Sequence, residues 1–165
     1  MILGVDPGVT GAFATLSLRS VRSTGTVARV HAQVFEVPTI TLSGTKKAMN
    51  GREVLRTLHC LFAFAPIVGL EDVHAMPKQG VSSTFKFGRN LGQWEGILWS
   101  LNTTIHYIRP QDWKKEFGLL RKDKDAARQV AMDLFPEVHL PLKKDTGKAD
   151  ALLIAEYTRR KHGSD

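Results

Sequence analysis

Three acidic residues occupy positions in this sequence where a carboxylate could take part in chemistry. Asp6 directly follows the apolar run at residues 2–5, and Glu71 directly follows a similar run at residues 67–70. If the two runs are parallel neighbours in one sheet, both carboxylates emerge at the same sheet edge. Asp150 lies within an apolar helical stretch, where a carboxylate is costly to bury unless it is paired or binds a metal. Each acid alone could be a cap or a solvated charge, but together they indicate a hard-cation site with oxygen ligands.

Phosphodiester hydrolysis is the chemistry that needs carboxylates arranged in this way. Two metal ions about 4 Å apart hold the attacking water and the leaving oxygen in line. Such a pair of ions needs three or four carboxylates that converge from different elements, and one of them bridges the ions. The end of a central strand suits the bridging ligand because rigid elements hold ligands better than loops do.

The charge balance of the chain favours a polyanionic partner. Its 165 residues include 23 Lys and Arg against 16 Asp and Glu, which gives a formal net charge of +7. For a domain of this size, such a balance is typical of nucleic-acid binding. The basic residues form short clusters rather than a tail: Lys46-Lys47, Lys114-Lys115, Arg121-Lys122 with Lys124, Lys143-Lys144 with Lys148, and Arg159-Arg160-Lys161.

Several other classes of protein are excluded by composition and motifs. The single cysteine, Cys60, rules out an intrachain disulfide and a Cys-rich zinc module. The N-terminus lacks the pattern of a signal peptide, and the longest apolar run is too short to span a bilayer. We therefore expect one soluble, cytoplasmic domain over residues 1–165, with no membrane partner. The chain has no P-loop, no Rossmann glycine motif and no His-Glu-x-x-His or Gly-x-Ser-x-Gly sequence, so we expect no small-molecule cofactor.

The elements that must position the three acids form an α/β pattern. Three strands come first, and strands then alternate with helices, which predicts a mixed five-stranded sheet flanked by helices. Residues 39–51 are rich in Ser, Thr, Gly and Lys, which is typical of a loop. We expect strands at residues 1–5, 11–18, 29–37, 67–70 and 104–108. We expect helices at residues 52–65 and 82–101, from 110, from 123 or 125 to 135, and at 148–161.

Three motifs, taken in order, resemble the RuvC family of Holliday-junction resolvases. They are Asp6-Pro7-Gly8-Val9-Thr10-Gly11, then Gly69-Leu70-Glu71, then Ala149-Asp150-Ala151-Leu152. The resemblance extends from about residue 1 to residue 158. It implies a ribonuclease-H-like fold, a homodimer, and symmetric nicking of four-way junctions. It also implies two Mg²⁺ ions in each site, which Mn²⁺ could replace.

The resemblance also assigns metal ligands. Asp6, Glu71 and Asp150 match the family's ligands residue by residue. The family has a fourth ligand, Asp or His, three residues before the last Asp, but Gly147 stands at that position here. Asp145 is the nearest acid, and it would serve either as the replacement ligand or as an N-terminal cap of the last helix.

Further residues are expected to contact DNA. Lys114 and Lys124 match lysines that act near the scissile phosphate, with Lys115 as the alternative to Lys114. His74 takes the place of an aromatic residue that stacks on an unpaired base in relatives. The complete set of expected DNA contacts is His74, Lys78, Gln79, Ser82, Ser83, Lys86, Arg89, Lys114, Lys115, Lys122, Lys124 and Lys148.

The long helix contains three glycines at four-residue spacing, Gly88, Gly92 and Gly96. Each glycine costs a helix about 1 kcal/mol relative to alanine, so a stripe of them suggests close packing on that side. We expect this stripe to pack against the sheet of the same chain. Packing against a second copy of the helix is the alternative, since the family dimerises through this region.

Two other functions remain open at this point. One is a different nuclease of the same fold that acts on RNA–DNA hybrids or other branched DNA. The ribonuclease H subgroup places its Glu on the first helix, however, whereas Glu71 follows a strand. The other is a junction-binding protein that has lost catalysis, which Gly147 favours.

Overall fold

The computed structural model describes residues 1–8, 11–20, 28–44, 46–63, 65–75 and 80–163, and of residues 18–20, 28, 29 and 124 it describes the backbone only. Three strands open the chain, a short hairpin follows, and helices then alternate with the last two strands. The strands are β1 (Ile2–Asp6), β2 (Ala12–Ser20), β3 (Ala28–Glu36), β4 (Thr39–Ser43), β5 (Lys46–Met49), β6 (Ile67–Glu71) and β7 (Thr104–Ile108). The helices are α1 (Gly51–Leu61), α2 (Val81–Ser100), α3 (Pro110–Glu116), α4 (Lys124–Leu134) and α5 (Thr146–His162), with a 3₁₀ turn at Lys143–Asp145.

The main sheet has five strands in the order β3-β2-β1-β6-β7. β1 pairs antiparallel with β2 and parallel with β6, and β6 pairs parallel with β7. The predicted mixed five-stranded sheet is therefore confirmed. Residues 2–5 of β1 are all buried, as expected for a central strand covered on both faces.

Helices cover the sheet on both faces. Residues of α3, α4 and α5 form one hydrophobic core with the sheet, and residues of α1 and α2 form the other. α5 lies very close to the central strands because two sheet positions are glycines. A Cβ on Gly4 would collide with the backbone of Ala151 and Ala155, and a Cβ on Gly69 would collide with Thr158. The two glycines therefore set where α5 crosses β1 and β6.

The sequence analysis predicted a loop over residues 39–51, but most of this segment forms two strands. β4 and β5 form an antiparallel hairpin in which Thr39 pairs with Met49 and Ile40 pairs with Ala48. Met49 is buried in the core beneath α1 and α2, which anchors the hairpin at its base. The strands satisfy each other's backbone hydrogen bonds, so a polar composition did not prevent them from forming.

Two helix boundaries also differ from the predictions. α1 ends at Leu61 rather than Ala65, because Phe62 has an extended backbone and its N–H donates to the Leu58 carbonyl. α5 begins at Thr146, two residues before the predicted start.

The glycine stripe of α2 does not pack against the sheet, so that prediction is wrong. A Cβ on Gly88, Gly92 or Gly96 would meet no atom within 4 Å in the described part of the chain. The sheet side of α2 instead presents Trp94 and Leu98, which are buried. The glycines therefore lie on the outer side of the helix.

Candidate active site

Two of the predicted carboxylates lie at the same edge of the sheet. β1 and β6 are parallel neighbours in register, with Val5 opposite Leu70, so the next residues, Asp6 and Glu71, follow side by side. Asp6 Oδ1 accepts a hydrogen bond of 2.9 Å from the Gly8 N–H. Glu71 Oε1 accepts one of 2.9 Å from the Trp113 indole Nε1–H. Each carboxylate is therefore held by a donor on a different element.

Burial raises the pKa of both carboxylates, and the charge of Asp6 raises that of Glu71 further. Burial and then the negative charge of Asp6 raise the pKa of Glu71 to about 7, against the weaker opposing effects of Trp113 and Lys114. Burial raises the pKa of Asp6 as well, and the Gly8 N–H and the Lys114 ammonium only partly offset it. A cation placed between the two would relieve both effects, because an adjacent positive charge favours the ionised form. The pair therefore has the chemistry of a hard-cation site.

Trp113 belongs to this site, and the sequence analysis missed it. It lies on α3, is fully buried, and donates to Glu71 across 42 positions of sequence. A buried tryptophan usually needs an acceptor for its indole N–H. That rule, applied to a tryptophan directly before the expected Lys114, is the signal that could have identified it.

Lys114 lies close to the carboxylate pair. Its side chain is partly buried, its Nζ lies 5.1 Å from the centroid of the Trp113 ring, and its charge lowers the pKa of both Asp6 and Glu71. Lys115, the alternative from the sequence, is exposed. The geometry thus favours Lys114 of the two.

The structure does not bring the full predicted ligand set together. Within the described ranges, no group of three or more His, Cys, Asp and Glu side chains is close enough to hold a metal ion. Asp150 is partly buried on α5, directly before Ala151, whose backbone packs on Gly4 of β1. It therefore lies on the part of α5 that crosses β1, while Asp6 and Glu71 form the pair at the sheet edge.

Asp145 is buried and both its oxygens have protein partners. Oδ2 accepts from the Leu142 N–H at 2.9 Å, and Oδ1 accepts from Lys148 Nζ at 3.1 Å. Burial alone would raise the pKa of Asp145, but these two donors outweigh it, and the pKa lies below its usual value. Asp145 thus caps the 3₁₀ turn before α5, whereas the cap considered in the sequence analysis was of the last helix, to which its side chain makes no capping hydrogen bond.

Lys148 is held in ion pairs rather than free at the surface. Its Nζ lies 2.8 Å from Glu36 Oε1, at the end of β3, and 3.1 Å from Asp145 Oδ1. These contacts tie α5 to the edge strand of the sheet. The predicted DNA contact of Lys148 would have to compete with them.

The other predicted DNA contacts that the structure describes are exposed. His74 is exposed, and its Nε2 lies 3.2 Å from Asp72 Oδ2. Ser82, Ser83, Lys86 and Arg89 are exposed on the first three turns of α2, and Lys122 is exposed before α4. Lys124 is the first residue of α4, but its side chain lies outside the described part of the chain, as do Lys78 and Gln79.

Comparison with known proteins identifies this architecture. No protein-family model matches the chain. It is similar to a Thermus thermophilus RuvC structure with a TM-score of 0.58 and 20% identity, over 96% of this chain and 95% of that one. A second structure, T. thermophilus RuvC in complex with Holliday junction substrate, gives a TM-score of 0.63 at 20% identity, over 93% and 89% of the two chains. The chain has the RuvC fold.

A sequence relative points in the same direction. The chain is 35% identical over 85 residues to MOC1, a chloroplastic Holliday junction resolvase of Chlamydomonas reinhardtii. The match spans 50% of this chain but only 10% of the length of that relative. The structural similarity thus confirms the fold that the motifs implied, and the partial sequence match is to a Holliday junction resolvase.

The three acids follow the order of the elements that carry them. Asp6 ends the first strand, Glu71 ends the fourth strand of the main sheet in chain order, and Asp150 lies on α5. This is the order on which the resemblance rested.

In the described part of the chain, no helix is both long and apolar enough to cross a membrane.

Proposed function

We propose that this protein is a divalent-metal-dependent DNA endonuclease that resolves four-way junctions by paired, symmetric nicks. The observation that carries the proposal is the partly buried Asp6–Glu71 pair at the carboxyl edge of the central parallel strands of a RuvC fold. Sequence similarity to a Holliday junction resolvase supports the choice of substrate. The net charge of +7 supports a nucleic-acid partner.

Asp6 and Glu71 would hold the divalent cation. Mg²⁺ and Mn²⁺ prefer carboxylate oxygens as ligands. The pKa values of both carboxylates are raised, and a bound cation would favour their ionised forms. Asp150 is the proposed third ligand because α5 crosses β1 beside this edge. Asp145 is a weaker fourth, since both its oxygens have partners already. When bound, two such cations would activate a water molecule and stabilise charge on the phosphate.

The protein's own groups would orient the carboxylates and the DNA. The Gly8 N–H and the Trp113 indole N–H fix one oxygen of each carboxylate, which leaves the other oxygen of each for a ligand. Lys114 lies beside the pair and would contact the scissile phosphate, where an ammonium stabilises developing negative charge. Lys124 is proposed to assist from the start of α4. His74 would stack on a base near the cut, with Asp72 orienting its imidazole.

A homodimer would place two such sites on one junction. The outer side of α2 exposes Val81, Phe85 and Trp99 in line with the glycine stripe, and their exposed fractions are 86%, 71% and 63%. Large apolar side chains this exposed are typical of an interface. We propose that α2 packs there against its copy. A two-fold dimer matches the two-fold symmetry of a four-way junction and accounts for paired nicks.

The test is cleavage of a synthetic mobile four-way junction in Mg²⁺, beside linear duplex and an RNA–DNA hybrid, with Asp6→Asn as control. Symmetric nicks on the junction alone, lost in Asp6→Asn while junction binding persists, are the expected result. Cleavage of hybrid or plain duplex instead would retain the nuclease and refute the junction specificity.

A junction-binding protein without nuclease activity is the second candidate. It is favoured by Gly147 at the fourth ligand position and because, within the described residues, no group of three or more His, Cys, Asp and Glu side chains is placed to hold a metal ion. Junction binding without nicks in either Mg²⁺ or Mn²⁺ would support it.

A further inference from the structure

The β4–β5 hairpin extends from the same sheet edge as the carboxylate pair. Along the sheet, Asp6 pairs with Ala12 and Ala12 pairs with Glu36, so the end of β3 lies level with the end of β1. Only Val37 and Pro38 separate Glu36 from the first residue of the hairpin. A molecule bound at the carboxylate edge would therefore pass close to the hairpin.

A small basic pocket lies between the hairpin and α2. Its volume is about 50 Å³, far below the roughly 300 Å³ and more of sites for small organic ligands. A single anionic group such as a phosphate suits this size. Three of the lining residues are cations, and two others offer a neutral hydroxyl or amide; the lining includes Thr39, Lys47, Met49, Lys86, Arg89 and Asn90.

The three cations have no acidic partner in the described part of the chain. No ion pair or hydrogen bond there involves Lys47, Lys86 or Arg89, and no carboxylate lines the pocket. Some basic residues elsewhere are paired: Arg109 and Arg128 each pair with an aspartate three positions away on the chain. The pocket thus concentrates positive charge that no acidic side chain in the described ranges neutralises.

A purely structural role explains this arrangement poorly. Lys86 and Arg89 are three positions apart on α2, where like charges destabilise a helix slightly. Lysines on an edge strand prevent aggregation, but that role would apply equally to Lys46 and Lys47. It does not account for the convergence of Lys47 with two cations from a different element.

We propose that the pocket formed by Lys47, Lys86 and Arg89 binds a backbone phosphate of the DNA, so that the β4–β5 hairpin is a DNA-contacting arm. This inference rests on the proposed function, because it places the phosphate on the DNA held at the carboxylate edge. The cations would neutralise the phosphate, and Thr39 and Asn90 would offer neutral hydrogen-bond donors to its oxygens. The contact is sequence-independent and positions the DNA rather than selecting bases.

The experiment compares Lys47→Gln with Lys46→Gln, its neighbour on the same strand outside the pocket lining. Affinity for a fluorescently labelled four-way junction is measured without divalent metal over a series of salt concentrations. We expect Lys47→Gln to raise Kd about three- to tenfold and to reduce the slope of log K against log salt by about 1. Lys46→Gln should change both by much less. Arg89→Gln combined with Lys47→Gln should add less than the two single effects, because the two cations share one phosphate.

Equal effects of the two lysine variants, or none from Lys47→Gln, would overturn the proposal while leaving the proposed function intact. Wild-type protein that binds no DNA would overturn both. An inorganic phosphate titration distinguishes a free anion from the DNA backbone. Phosphate binding lost in Lys47→Gln, with DNA affinity unchanged, would assign the pocket to a free anion and refute the hairpin as a DNA arm.

Discussion

Ionised Glu71 destabilises the folded protein when no cation is bound. Its pKa is about 7 in the folded protein against an ordinary value of 4.5. Ionising such a carboxyl at pH 8 costs about 3 kcal/mol more in the folded than in the unfolded chain. Glu71→Gln removes that cost, and its amide oxygen can still accept the hydrogen bond from Trp113. We therefore expect this variant to be more stable than the wild type at pH 8, although a candidate ligand has been removed.

The pH dependence follows from the direction of the shift. Between pH 4.5 and 7 the folded protein retains a proton on Glu71 that the unfolded chain has lost. Stability from this group is therefore fully present below pH 4.5 and is lost as the pH rises through about 7. The stabilising effect of Glu71→Gln should thus be about 3 kcal/mol at pH 8 and close to zero at pH 4.5. For a chain of this length, 3 kcal/mol corresponds to roughly 6–12 °C in Tm.

The assay is thermal and urea unfolding of both proteins at pH 4.5 and pH 8 in the presence of a chelator. Glu116→Gln is the matched control, because the ion pair with Lys161 lowers the pKa of Glu116 and its removal should be slightly destabilising at pH 8. Adding Mg²⁺ at pH 8 should stabilise the wild type and narrow its gap to Glu71→Gln. A variant that is equally stabilised at both pH values, or destabilised at pH 8, would refute the reasoning.

Three further changes test other parts of the structure. Trp113→Phe retains an aromatic ring but removes the hydrogen-bond donor to Glu71. The Mg²⁺ concentration needed to stabilise the protein should therefore rise about tenfold in a thermal-shift titration. An unchanged titration would show that Trp113 does not position Glu71 for the metal. Gly4→Ala should destabilise the protein by about 3 kcal/mol or more in urea unfolding, because the new Cβ meets the α5 backbone. In the control Gly51→Ala the new Cβ would lie 3.5 Å from a side-chain methyl, so this variant should be neutral or slightly stabilised. Equal effects of the two substitutions would contradict the close approach of α5. Phe85→Glu should convert a dimer to a monomer in sedimentation velocity, and an unchanged mass would show that the outer side of α2 is not the interface.

The placement of Asp6 and Glu71 was accessible from sequence because it depends on local patterns. Each acid directly follows a short apolar strand, and parallel strands present their carboxyl ends at one edge. The five-stranded mixed sheet followed from the same pattern of strands and helices. These predictions needed only the order of the elements and the rule that parallel strands place their carboxyl ends at the same sheet edge.

Other features depended on contacts that no local pattern contains. Trp113 and Glu71 are far apart in sequence, and the pairing appears only when α3 is placed beside β6. The hairpin was missed because its polar residues are typical of loops and its strands are stabilised mainly by each other. The glycines of α2 indicated close packing, but sequence alone does not state on which side of the helix the neighbour lies. The hydrogen bonds that Asp145 accepts from Leu142 and Lys148 were not predicted, and its role as a metal ligand stays a prediction.

The close contact of α5 with β1 has a consequence for how the protein is made. β1 starts at residue 2 and α5 starts at residue 146. The core between the sheet and α5 therefore cannot form until α5 has left the ribosome. Until then Gly4 is uncovered, and Asp6 and Asp150 belong to segments that have not met. We expect a chain stopped before residue 146 to remain unfolded and unable to bind a metal at this edge. The proposed site, with Asp150 as its third ligand, would therefore be incomplete until α5 has been synthesised.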